Sequence, residues 1–148
     1  MTRTADADGN TAKSVTRYLP AAARIVLGLI FLVMGLNGFL NFVPQPATPF
    51  PAAGLAFLGA LIASGYMIPL VSGTQVIVAV LLLSNRFVPL AVALIAPVIV
   101  NIFAFHAFLV PSGVVIALLV AALEVYLAWT YRSAYRPMLA ARVDPSRS

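Results

Sequence analysis

Long apolar runs separated by proline, glycine and short polar turns organise the whole chain. The first, "PAAARIVLGLIFLVMGLNGFLNFV" from Pro20 to Val43, exceeds the roughly 20 residues that an α-helix needs to cross a bilayer. Pro20 suits a first helical turn, where its missing N–H would have no intrahelical partner anyway. A signal peptide would have a shorter apolar region and then a small-x-small cleavage site, whereas Asn37, Phe39 and Asn41 follow here, so the run predicts a retained span. Before it, residues 1–19 are polar, rich in small residues and without hydrophobic periodicity, which predicts a disordered tail.

"PQPATPFP", residues 44–51, carries four prolines and predicts a stiff, non-helical loop. The low-polarity stretch from Ala52 to Ser84 is too long for one span and too short for two. Gly65, Pro69 and Gly73 interrupt its middle, which leaves residues 67–84 as a second crossing. Residues 53–64 place Leu55, Leu58 and Ile62 on one helical stripe and Ala56, Ala60 and Ala63 on another, predicting a short interfacial or re-entrant helix. "NR" at Asn85 and Arg86 turns the chain into a third span, 87–109, with Pro97 near its middle. "VPSG" at 110–113 turns it into a fourth, 114–131. The reading is an all-α integral membrane four-helix bundle over residues 20–136, followed by a basic tail over 137–148.

Composition agrees: 62% of the 148 residues are hydrophobic and only 9% charged, too few to clothe a soluble surface. Charge placement adds orientation. Arg3, Lys13, Arg17 and Arg24 precede or begin the first span, Arg86 separates the second and third, and Arg132, Arg136, Arg142 and Arg147 follow the fourth. The other two connections carry no basic residue, so the positive-inside rule predicts cytoplasmic termini and an even number of crossings. The net charge of +5 then reflects topology and anionic lipid rather than nucleic acid. With no cysteine and one histidine, thiolate metal sites, iron–sulfur clusters and a bis-histidine haem are excluded, and no metal centre is expected.

Chemistry must then come from a few polar residues within the apolar runs. Glu124 lies mid-span on a stripe with Ala117, Ala121 and Ala128, so it should face the bundle as a proton-carrying or ligand-binding carboxyl; a protonated acid making one interhelical hydrogen bond is the plainer alternative. Asn101 sits one turn after Pro97 and is expected to hydrogen-bond between helices or at the backbone defect there. His106, about 140° further round, is a candidate for proton exchange or for hydrogen bonding to a quinone-like head group, against the alternative of an interfacial histidine held by a loop carbonyl. Asn37, Asn41, Tyr66, Ser72 and Gln75 fall at similar depth, as do several phenylalanines. From depth alone, Asn37, Gln75, Asn101 and His106 are expected to line one outward-facing ligand pocket, with Glu124 deeper.

The succession "ARIVLGLIFLVMGLNGF", a proline-rich loop, "ALIASGYMIPLVSGTQVIVAVLLLSNRFVPLAV" and "LIAPVIVNIFAFHAFLVPSG" resembles the DoxX family of small bacterial four-helix membrane proteins, over roughly residues 21–137. The resemblance implies the bacterial cytoplasmic membrane and an accessory or quinone-linked subunit of a redox or oxidative-stress system, with a soluble or membrane oxidoreductase as partner and quinone as the associated cofactor. Two positions depart from the pattern. Gln75 follows "GT" where related sequences often carry an acid, and "GLNGF" lacks a basic residue common after the first-span glycine. A small transporter or channel using Glu124 and the outer polar groups, and a scaffold without a ligand, are the readings from other classes.

Overall fold

The computed structural model describes residues 5–44 and 49–139, with side chains from residue 18 onward. The proline-rich loop is therefore described only at its ends, and most of the expected basic tail lies outside the described residues.

Every regular element among the described residues is helical. They are α1 (Ala5–Leu40), α2 (Ala52–Ala63), α3 (Met67–Leu83), α4 (Val88–Ala104), a π-helical turn (Phe105–Leu109), a single 3-10 turn (Pro111–Gly113), α5 (Val114–Thr130), α6 (Arg132–Tyr135) and a closing 3-10 turn (Arg136–Leu139). Tyr18–Leu40, Val88–Leu109 and Pro111–Thr130 are each long and apolar enough to cross a membrane. Helices α2 and α3 meet that criterion only as a pair bent by 89° at the break between them, which makes three such helices, or four if the bent pair supplies one.

The tail expected over residues 1–19 is instead helical from Ala5, so Pro20 lies inside α1 rather than at its start. The apolar segment nucleates the helix, and adding residues to an existing helix is far easier than starting one. Pro20 then removes a single donor, the one due to the carbonyl of residue 16.

Short polar motifs end the helices. Asn41 closes α1 at φ 49°, and the Val43 N–H donates to Asn37 Oδ1 at 2.7 Å. Gly65 (φ 75°) ends α2, while Ser64 Oγ donates to the Leu61 carbonyl and accepts the Met67 N–H, joining the two helices at their corner. Asn85 (φ 57°) ends α3 in a Schellman motif: Arg86 N–H bonds the Leu81 carbonyl at 3.0 Å and Asn85 N–H the Leu82 carbonyl at 3.2 Å. Two residues on, Phe87 is held at φ 52°, an unusual conformation for a bulky side chain.

Helix α1 packs against α3 and α5, and α4 packs against the same two, with the α1–α3 contact the most extensive. Three α1 glycines make that contact close. A Cβ at Gly28 would lie 2.9 Å from Leu83 Cγ, one at Gly35 would lie 2.9 Å from the Ser72 carbonyl oxygen, and one at Gly38 would collide with Ser72 Oγ. The pairing of 28 with 82–83 and of 38 with 72 makes the two helices antiparallel. Leu27, Phe31, Val78, Leu82, Ile95 and Leu127 fill the space inside and are fully buried.

Arg24, one turn before Gly28, reaches across to α3 and donates from Nη1 to the carbonyls of Leu82 and Leu83. A guanidinium there adds a charged donor to the last carbonyls of α3, one of them already bonded within the Schellman motif, and complements the helix's negative dipole end. At the same end of the molecule the Tyr135 hydroxyl donates to the Pro89 carbonyl at 2.9 Å, tying α6 to the start of α4.

Gly35→Val should lower stability by about 1–3 kcal/mol, because the added carbons meet α3 backbone. Gly73→Ala, whose Cβ would meet nothing within 4 Å, should be neutral or stabilise by up to about 1 kcal/mol. Thermal unfolding in a mild detergent reads both. In the same assay Arg24→Gln should cost about 1.5–3 kcal/mol, the range for hydrogen bonds from a charged donor.

Candidate functional site

The π-helical turn is where α4 stops being regular. The Val110 N–H bonds the Phe105 carbonyl at 3.0 Å, one residue wider than an α-helical turn, and His106 lies inside that loop of chain. Its imidazole Nδ1 is 3.1 Å from the Val110 carbonyl oxygen. A carbonyl can only accept, so Nδ1 carries the hydrogen and the lone pair of the neutral ring resides on Nε2. Gly113 covers the ring so closely that any Cβ there would run into Cε1 and Nδ1. Phe105 stands edge-on to it at 5.2 Å between centroids. Phe105 in turn packs against Phe57 of α2 at 5.7 Å and Phe50 at 6.3 Å, and Gly54 admits Val110 against α2. The turn that orients His106 is thus braced by α2.

His106 lines a groove of about 580 Å³ between α1 and α5, walled by Leu29, Val33 and Met34 on one side and Ile116 on the other. Apart from the imidazole, its lining side chains are apolar. A planar apolar ring bearing one hydroxyl would find walls to stack on and a single acceptor.

The four residues expected to share one pocket are not brought together. Asn37 lines a different groove, about 470 Å³, with Asn41, Leu58, Ile62 and Pro69, and its side-chain oxygen is engaged by the Val43 N–H. Gln75 is buried at 8% exposure in the α1–α3 contact, its Cβ 3.0 Å from where a Gly35 Cβ would stand. Asn101 is exposed on the outer side of α4, beside the exposed Pro97, and so lies outside the helix–helix contacts it was expected to join. Equal depth along different helices fixes no common direction around them, and direction is what separates these side chains. Tyr66 is 63% exposed at the α2–α3 corner.

Glu124 is buried at 6% exposure, on the face of α5 that also buries Ala117, Val120 and Leu127. Neither carboxyl oxygen has a hydrogen-bond partner among the described residues. The side chain borders a groove of about 350 Å³ between α4 and α5, with Ala96, Val100, Phe103, Ala121 and Ala128 around it. No group of three or more His, Cys, Asp or Glu residues is arranged to hold a metal ion among the described residues.

Arg24 and the packing glycines hold α1 against α3, a role that the charge pattern along the chain does not assign to Arg24. The spacing of Gly28, Gly35 and Gly38, seven and then three residues, puts them on one helical face and was the available signal. Nothing comparable marked Gly113, which contacts His106 across a turn. No protein-family model, no characterised protein and no solved structure matches the chain.

Replacing Glu124 by Leu should raise stability by about 1–3 kcal/mol, since it removes a buried polar group that has no hydrogen-bond partner among the described residues. Equilibrium unfolding of the two proteins in matched detergent checks it; a loss of stability would mean that the carboxyl has a bonded partner.

Proposed function

We propose that the chain is a DoxX-like four-span membrane protein of the bacterial cytoplasmic membrane, serving an oxidoreductase partner by holding a quinone head group at His106. The observation that carries this reading is the imidazole: the Val110 carbonyl fixes its tautomer, and it is the one polar side chain of an otherwise apolar groove. In that tautomer Nε2 accepts a hydrogen bond from a hydroquinone hydroxyl, while Leu29, Val33 and Ile116 pack the ring and its apolar substituents. The chain has no cysteine to act as a redox thiol, and in this reading electron transfer belongs to the oxidoreductase partner.

The four spans in this reading are the apolar part of α1, then α3, α4 with its π turn, and α5, with α2 lying in the outer interface at right angles to α3. An exposed face of α2 supports that placement: Leu55 is 52% and Ile62 67% exposed, apolar surface that a headgroup–acyl boundary would cover. Arg24, beside the end of α3, and Arg86, Arg132 and Arg136, near helix ends, lie at the end of the bundle opposite to His106, which supports cytoplasmic termini and an outward-facing quinone site.

Protein purified in a gentle detergent should retain quinone detectable by mass spectrometry. His106→Ala should weaken binding of a short-chain ubiquinone about tenfold, equivalent to one hydrogen bond of about 1.4 kcal/mol. Binding unaltered by that substitution, or no quinone binding by a folded wild type, overturns the assignment.

A further inference from the structure

The groove between α4 and α5 has a chemistry unlike that at His106. Its one polar group is the Glu124 carboxyl, more than nine-tenths buried, with both oxygens free of hydrogen bonds among the described residues. Buried carboxyls in native proteins ordinarily have partners, and one without any calls for an explanation. Three alanines, Ala96, Ala121 and Ala128, create the room beside it, and Phe103 supplies an aromatic ring. Val100 and Val125 at the groove's edge are 68% and 67% exposed, so the groove opens sideways onto the apolar outer surface rather than towards an end of the molecule.

We propose that this groove is a lateral binding site for a hydrophobic monocation, a lipophilic amine or a quaternary onium ion, with Glu124 as its counter-ion. One carboxylate matches one positive charge, the apolar walls match the substituents, and Phe103 adds cation–π attraction. The same features exclude the other ligand classes. A divalent metal ion would need several oxygen ligands where the groove offers a single carboxyl. A sugar or other polyol would leave most of its hydroxyls unbonded, and an anion would be repelled. The volume of about 350 Å³ lies at the small end of the range for organic ligands. The site is separate from that of the quinone: it lies on the α4 side of α5 rather than the α1 side, and Glu124 is eleven residues on from Gly113, roughly 16 Å at 1.5 Å per residue.

The test is titration of the full chain in lipid nanodiscs with tetraphenylphosphonium, and with tetraphenylborate as an anion of the same shape. Saturable, one-to-one binding of the cation and none of the anion is expected. Glu124→Gln and Ala121→Phe should each weaken cation binding at least tenfold (about 1.4 kcal/mol), the first by removing the charge and the second by filling the groove with the charge retained. His106→Ala should leave it unchanged, which separates this site from the quinone reading. Unsaturable uptake equal in all variants, or saturable binding that persists in Glu124→Gln, overturns the proposal. Should Glu124→Gln fail to fold, Ala121→Phe decides the matter alone.

Discussion

The approach of α1 to α3 is the contact on which the arrangement of the other helices rests. Between helices this apolar, water release contributes little to association if the surroundings are hydrocarbon, and what remains is close packing and the few polar contacts that closeness allows. Gly28, Gly35 and Gly38 remove the side chains that would hold the two backbones apart. With that separation closed, Arg24 is near enough to reach the last carbonyls of α3, and Ser72 and Gln75 are enclosed. A larger residue at 35 would disturb more than one van der Waals contact, because the guanidinium and the buried polar side chains all depend on the same spacing.

The remaining contacts are looser, and both grooves lie along them. Helix α5 touches α1 and α4 less extensively than α1 touches α3, leaving one groove on each of those sides. In the first the polar group is a histidine fixed by its own loop; in the second it is a buried acid with no hydrogen bond among the described residues. A single scaffold thereby presents an imidazole in one groove and an unpartnered carboxyl in the other, each the one polar side chain among apolar walls.

Much of the helical layout was legible in the chain, since long apolar runs, proline, glycine and "NR" mark helix ends by rules that involve only neighbouring residues. The beginning of α1 was not, because residues 5–19 have no apolar stripe and their helix is an extension of the segment that follows. The inward face of α5 was readable from Ala117, Ala121, Glu124 and Ala128, which repeat within one helix. The grouping of Asn37, Gln75, Asn101 and His106 was not, because it depends on how four helices are rotated relative to one another, and no local rule carries that information. The imidazole's partner, Val110, was legible only as an unnamed loop carbonyl.

The π turn at Phe105–Leu109 is equivalent to an α-helix that has taken in one extra residue, so everything beyond it is rotated by about 100° from where an unbroken helix would have carried it. The direction of the imidazole, and the angle at which the chain departs for α5, are therefore governed by residue count as much as by residue identity. Exchanging Ala107 or Phe108 for another apolar residue alters the surface, whereas removing one residue from this turn would re-phase the helix and point a different side chain at the groove. Length, in this segment, itself decides which side chain faces the groove.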